Sequence, residues 1–318
     1  MGHMKDRRQM IAALPQLTVI GLGPGGLSAT IEAAKLGLRV VAFTKKQDYV
    51  RGQRFKLAPN TLGFLDSLEN TSDPLDASFF DKMVEDNSIQ VKDLEQFLRR
   101  KLEDFRDLVT IIELDDTNPI TAIQHDSSQN ANYLSLADGT RHYFTHLIGS
   151  EGAKRTVANL VKTGALLQQL DFRPSQRYAK AKDKVKACAF TMHLSVCTQA
   201  AFKVQGGYYA PIGDARRTPN YTQAHGLHDA ILAGIEFARC IRADNTFDVA
   251  RYEALFAEID AALQYSCAYF APFYTEDPRS NCTDASSIAT TDCETDSFRS
   301  ESPLRVDAGS PVQAIISP

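Results

Sequence analysis

Apolar residues in this chain form a short run, then a helical period, then a second short run. Residues 17–20 are the first run and predict a strand. Residues 27–36 repeat at helical spacing, and residues 37–43 read as a second strand. Gly21, Gly23, Gly25 and Gly26 stand between the first run and the helix. Gly21, Gly23 and Gly26 spell G-x-G-x-x-G, and the strand, turn, helix and strand around them are the context this motif needs. Gly21 permits a tight turn, Gly23 lets backbone approach a pyrophosphate, and Gly26 lets helix and strand pack closely. The free amides and positive dipole end of the helix then face phosphate. The pattern predicts a dinucleotide site, against the alternative of a merely glycine-rich turn.

Further along, residues 44–53 form a polar loop and 59–68 a short helix, and 70–76 are rich in turn formers. Val91, Leu94, Phe97, Leu98 and Leu102 keep helical spacing over residues 91–105. Residues 108–114, 120–124 and 133–136 predict strands, with Asp138-Gly139 as a hairpin turn. Residues 143–148 predict one more strand, ending at Gly149-Ser-Glu-Gly152. Residues 179–196 alternate, with Lys180, Lys182, Lys184 and Lys186 on one side, as on the solvated face of a strand. Residues 207–212 lead into Gly213-Asp214, and helices follow over 226–241 and 247–270. From Asp277 onward Ser, Thr, Asp and Pro dominate and periodicity vanishes, which predicts an unstructured tail.

Composition narrows the class. The 318 residues suffice for one large domain or two modest ones, and 43% hydrophobic with 23% charged residues is ordinary for a globular chain. A net charge of −4 gives no electrostatic reason to expect nucleic acid. Six scattered cysteines without C-x-x-C signal neither zinc nor a redox dithiol, and read as free thiols of a reducing compartment. No apolar run approaches the ~18 residues of a membrane span. Residues 5–14 are charged and then apolar, but Pro15 and Gln16 interrupt them, which argues against a signal peptide. Residues 1–4 resemble a cloning remnant. A cytoplasmic location is expected, although export by a leaderless route leaves no mark in a sequence.

Two more segments join the first motif. One is Leu147-Ile-Gly-Ser-Glu-Gly-Ala-Lys-Arg155, after a strand; the other is Ala210-Pro-Ile-Gly-Asp-Ala215, between a strand and a helix. The three together, in this order and spacing, resemble the FAD fingerprints of single-component (class A) flavoprotein monooxygenases, the hydroxybenzoate-hydroxylase-like class. The resemblance covers roughly residues 15–160 and 205–240. Within the class the chain looks closest to the flavin domain of the MICAL monooxygenases. The likeness rests on Arg39-Val-Val-Ala-Phe-Thr-Lys-Lys, on Arg51-Gly-Gln-Arg-Phe-Lys-Leu-Ala-Pro59 and on Gly213-Asp-Ala-Arg-Arg-Thr-Pro-Asn-Tyr221.

The resemblance implies an α/β chain with a glutathione-reductase-type Rossmann FAD-binding fold. It would carry a small inserted β-sheet region and a C-terminal helix. Residues 5–160 and 205–245 would form the FAD domain, 161–204 a reduced substrate-side sheet, 246–276 the helix and 277–318 the tail. The implied cofactor residues are Gly21, Gly23, Gly25, Gly26, Thr44, Lys45, Arg51, Gln53, Glu151, Gly152, Gly213, Asp214, Gly226 and Leu227. Thr44 stands where the family has an acid for the adenosine ribose, Glu151 replaces the usual Asp, and Arg216-Arg217 replaces a common Ala-His. Only about fifty residues separate the second and third motifs, where the family places a larger substrate sheet. The implied activity uses NADPH or NADH as transient hydride donor, and a flavin C4a-hydroperoxide to oxygenate a small molecule or a protein. Tyr221 and His225 are the candidate catalytic residues, in a polar and aromatic cluster with Gln223 and His228. No metal is expected. A flavin reductase or oxidase releasing hydrogen peroxide, and a catalytically degenerate FAD-binding interaction protein, remain alternatives.

Overall fold

The computed structural model describes residues 15–45, 54–83, 87–152, 156–163, 172–177, 193–197, 199–216 and 225–270. The chain opens with β1 (Leu17–Ile20), α1 (Pro24–Lys35) and β2 (Val40–Thr44). Next come β3 (Arg54–Lys56), α2 (Pro59–Asp66), α3 (Pro74–Asp81), β4 (Ser88–Gln90) and α4 (Val91–Lys101), which a 3-10 turn extends over Leu102–Phe105. Five strands follow: β5 (Val109–Glu113), β6 (Ile120–Asp126), β7 (Ala131–Leu136), β8 (Arg141–Phe144) and β9 (His146–Gly149). The rest comprises α5 (Thr156–Thr163), β10 (Phe172–Arg177), β11 (His193–Cys197), β12 (Phe202–Val204), β13 (Gly207–Pro211), α6 (His225–Cys240) and α7 (Val249–Phe270).

The main sheet has the order β12-β13-β9-β1-β2-β5. Its strands run parallel except β12, which pairs antiparallel with β13 at the edge. From β1 the chain builds outward through β2 to β5, then returns to the other side of β1 for β9. Strand order therefore reverses between β1 and β9, and in open α/β sheets ligands bind beyond the carboxyl ends at such a point.

Alternation along each strand sorts its side chains into two layers. Val19, Ala42, Ile148 and Ala210 join Leu27, Ile31, Leu94, Leu98, Ile231 and Phe237, from α1, α4 and α6. Their neighbours Ile20, Phe43, Leu147 and Tyr209 join Ile123, Leu134, Phe144, Val157 and Val161, from the β6-β7-β8 sheet and α5. Burial on both faces explains why these strands read as unbroken apolar runs.

Local signals set the helix ends. Pro74 opens α3 behind Asp73, whose side chain accepts from the Leu75 amide at 2.9 Å. Gly37, at φ +78°, ends α1, its amide donating to Ala34 O. The buried Asp76 ties α3 to α4 through Arg100 at 2.6 Å, Lys101 and the Asn70 amide at 2.7 Å. Burial opposes its charge, but Lys101, the Asn70 amide and Arg100 together hold the carboxyl below its usual range. His146 is 1% exposed among Tyr208, Phe237 and Phe247. Its Nδ1 accepts from the Tyr208 amide at 3.2 Å, so Nε2–H donates to Asn245 O at 3.1 Å. Burial pushes its pKa down to about 4, against a rise from the Asn245 carbonyl.

The predicted strand over 143–148 is two strands. β8 pairs antiparallel with β7, whereas β9 pairs parallel with β1, and the chain changes sheets at Thr145. Thr145 and His146 interrupt the apolar residues at the break, and β8 is only partly buried whereas β9 is buried throughout. The 70–76 stretch runs into a helix, α3, and α5, β3, β4, β10 and β12 are further elements that the pattern left unmarked. β10 and β11 form a separate antiparallel pair within 161–204, while β12 belongs to the main sheet. The lysine-bearing part of the alternating 179–196 stretch, and the tail beyond Asp277, lie outside the described residues. Cys197 and Cys240 are buried and take part in no disulfide.

Candidate dinucleotide site

The three sequence motifs meet at the carboxyl end of the main sheet. β1 is followed by Gly21-Leu-Gly23, β9 by Ser150-Glu-Gly152 and β13 by Ile212-Gly-Asp214. Register places Ile20 opposite Gly149, and Gly149 opposite Pro211, so the three turns are neighbours. Backbone bonds splice them together. Ser150 N donates to Ile20 O at 2.8 Å, Gly21 N to Phe43 O at 2.8 Å and Ile212 N to Gly149 O at 2.9 Å. Ser150 Oγ adds bonds to Ile20 O at 3.1 Å and to Gly21 O.

The glycines of the first motif are required for different reasons. Gly21 has φ +96°, and a Cβ there would lie 2.6 Å from Ser150 O. A Cβ on Gly26 would meet Gly21 O and stand 2.6 Å from Ser150 Oγ. Gly25 lies against α6, where a Cβ would be 2.7 Å from Ala230 O. Gly23 is the exception. Its backbone is extended, with φ −77° and ψ −176°, and a Cβ would have Glu95 Oε1 at 4.0 Å as its nearest neighbour. Packing among the described residues therefore does not demand a glycine there. Gly23 is also the N-cap of α1, which has no side-chain cap and no acid in its first turn. A bare amide end behind an open glycine fits a diphosphate that comes to contact distance of the backbone.

α1 and α6 pack through small residues, Gly25 on Ala230 and Ala29 on Gly234. These contacts advance together along both helices, so the two run the same way and present both amino ends to the site. Arg239 bonds Glu32 at 2.7 Å farther along the same interface. Gly213, at φ +57°, brings the turn holding Asp214 onto Ala230, and Asp214 itself is exposed. Gly226, in the first turn of α6, lines a small cleft with Gly213, Arg216, Asp229 and Phe256. Leu227 follows it in the same turn and packs against the α1–α6 core. The Arg216 guanidinium, on a residue only 3% exposed, stacks on the Phe256 ring at 3.9 Å.

His228 joins α6 to the segment after the predicted flavin loop. Its Nε2–H donates to Lys56 O at 2.7 Å, so its Nδ1 accepts from Thr61 Oγ1 at 3.0 Å. Both ring nitrogens are used within the protein. Among the described residues no group of three His, Cys, Asp or Glu side chains could hold a metal ion.

The remaining expected residues are placed as follows. Thr44 is buried at the end of β2. Lys45 pairs with Asp116 at 3.2 Å on the exposed surface. Gly152 follows Glu151 at φ +81°. The Glu151 side chain turns toward α5, where Oε1 accepts from the Val157 amide at 2.7 Å. Burial pushes its pKa up to about 7, against lowering by the Glu151, Val157 and Ala158 amides. Arg51, Gln53 and Tyr221 lie outside the described residues. His225 opens α6, and its side chain lies outside them too. Sequence reasoning missed Ser150 as a brace and Glu95 as the buried acid beside Gly23. Glu95 carried a signal: it is a charged residue on the apolar stripe of Val91, Leu94 and Leu98.

No family model and no curated protein sequence matches this chain. Solved structures do. PqsL, a probable FAD-dependent monooxygenase from Pseudomonas aeruginosa, superposes with a TM-score of 0.54 at 13% identity, over 80% of this chain and 95% of its own. The fold is one seen in FAD-dependent monooxygenases. The p-nitrophenol 4-monooxygenase PnpA from Pseudomonas putida DLL-E4 gives 0.57 at 13% identity, over 83% of this chain and 90% of its own. Tetracycline destructase Tet(51) gives 0.58 at 12%, over 78% and 88%. At such identities the likeness is one of fold. Among the described residues no helix is long and apolar enough to cross a membrane.

Proposed function

We propose that the chain binds FAD and acts as an NAD(P)H-dependent monooxygenase on a substrate yet to be identified. One observation carries the reading: three distant segments converge on a helix end whose Gly23 stays open although nothing among the described residues requires it. In this reading the amides of Gly23, Gly25 and Gly26 hold a diphosphate, Gly21 makes the turn that aims them, and Glu151 and Gly152 lie in the adjoining turn. Thr44 borders the adenosine, and Lys45 reaches it only by leaving Asp116. Asp214, beside Gly213, accepts from a ribityl hydroxyl, and Arg51 and Gln53 flank the ring system. The amides of Gly226 and Leu227 face its pyrimidine edge, where negative charge collects on reduction. Bound FAD supplies hydride acceptance from a nicotinamide and activation of oxygen, while the chain supplies position and excludes water. Tyr221 and His225 are placed by the sequence just ahead of this edge, where they orient substrate and carry a proton. The MICAL resemblance extends the substrate class to macromolecules.

Titration with FAD, followed by anaerobic reduction with NADPH and NADH, tests the reading. Failure to bind FAD, or binding of NAD in its place, would overturn it. A second reading, a flavin reductase or oxidase, draws on the small β10–β11 pair, the described elements between α5 and the main sheet. It expects hydrogen peroxide equal to the NAD(P)H consumed, whatever substrate is added.

A further inference from the structure

We infer that Glu151 couples a proton to cofactor binding: its buried carboxyl is a positioning residue for the Gly21 turn, neutral when the dinucleotide is held. The inference rests on the FAD reading above.

The Ser150–Glu151 peptide is the wall of the turn. Ser150 O and Glu151 N lie 2.6 and 2.9 Å from the position of a Cβ on Gly21. From that peptide the side chain folds inward. Oε1 takes the Val157 amide, while Oε2 is buried without a hydrogen-bond partner among the described residues. Oε2 and Tyr209 Oη stand 3.0 and 3.1 Å from the position of a Cβ on Gly149. The groups facing the carboxyl are thus Tyr209 from β13, the Val157 and Ala158 amides from α5, and Gly149 from β9. Among the described residues no charged side chain contributes to its titration, and the nearby Lys154 and Arg155 lie outside them.

A neutral carboxyl tolerates this enclosure, but an ionised one leaves a charged oxygen buried and unpaired. Burial accordingly holds the proton to about pH 7. Once ionised, Oε2 must find the Tyr209 hydroxyl or water, and either move shifts residues 150–152, the wall of the turn. A diphosphate arriving at the turn brings like charge to the same end of the sheet. The coupling is reciprocal: ionised Glu151 weakens the diphosphate, and bound diphosphate keeps Glu151 protonated. Above neutrality, binding takes one proton from solvent onto the carboxylate, and no other bond changes.

The test is FAD affinity of wild type and Glu151→Gln from about pH 6 to about pH 8.5, with calorimetry in two buffers of different ionisation heat. Wild type should weaken about fivefold or more across the range and take up a proton on binding. The Gln variant should bind with a flat profile, no proton uptake, and more tightly than wild type at the alkaline end. A Gln variant that keeps the wild-type slope overturns the inference and leaves FAD binding standing. A flat wild-type profile overturns it whether or not the variant folds. Absence of FAD binding by wild type at every pH overturns both readings.

Discussion

Replacing Gly23 with Ala separates what the fold needs from what the cofactor needs. Its backbone is already extended, and among the described residues the new methyl would meet nothing closer than Glu95 Oε1 at 4.0 Å. Ala is a poorer N-cap than Gly, but it also loses less chain entropy on folding. The two effects are each under about 1 kcal/mol and opposed. Apo stability should therefore stay within ~0.5 kcal/mol of wild type. In the proposed function the same methyl stands where the diphosphate touches the amides. Displacing it loses one or two charge-assisted hydrogen bonds at about 1.5–3 kcal/mol each, or roughly tenfold to a hundredfold or more in FAD affinity. Gly26→Ala is the control. Its methyl meets Gly21 O and Ser150 Oγ inside the turn, so it should lower apo stability by about 1–3 kcal/mol or more before any ligand is added. Urea unfolding of the apo proteins and fluorescence titration with FAD read the two effects apart. A Gly23→Ala protein that binds FAD like wild type, or unfolds as easily as Gly26→Ala, refutes the reasoning.

Two buried groups give opposing pH dependences. His146, held neutral with its pKa near 4 against 6.5 unfolded, should remove about 3 kcal/mol of stability as pH falls from 6.5 to 4. Glu151, held protonated to about 7 against 4.5 unfolded, contributes stability that is full below 4.5 and lost by a similar ~3 kcal/mol as pH rises through 7. Urea midpoints of wild type should thus be nearly level between about pH 4.5 and 6.5, falling toward acid in Glu151→Gln and toward base in His146→Gln. Asp76→Ala strands the buried Lys101 and should cost about 3–5 kcal/mol by urea unfolding, with little relief from salt. Thr61→Val removes the donor to His228 Nδ1 and should cost about 1 kcal/mol, with lowered thermal melting as its readout.

The alternation of Val19 with Ile20, and of Ala42 with Phe43, was readable as strands because neighbouring residues face different buried layers. The glycine motif was readable because the strand, turn and helix around it are local, although the contacts that exclude a side chain at Gly21 and Gly25 come from Ser150 and Ala230 far along the chain. The change of sheet at Thr145 was not read, although the polar pair Thr145-His146 interrupts the apolar run there. α3 was hidden because its anchor, Asp76 to Lys101, joins residues 25 apart in sequence. Gly21 follows β1, Gly213 follows β13 and Gly226 lies in the first turn of α6, positions that the local strand and helix signals predict. The inward turn of Glu151 was not foreseeable, because it depends on α5, whose amino end accommodates the carboxyl. The pairing of Lys45 with Asp116 likewise depends on a loop after β5 that lies far along the chain.

The glycine and alanine seam between α1 and α6 leaves almost no compressible material between two backbones. A pair of helices fused in this way behaves as a fixed gauge. The spacing between their amino ends cannot stretch to suit a shorter guest, so length itself becomes a criterion of selection. On the proposed FAD reading, a mononucleotide flavin would reach one end and leave the other to solvent, whereas a molecule with a nucleotide at each side of its diphosphate would reach both.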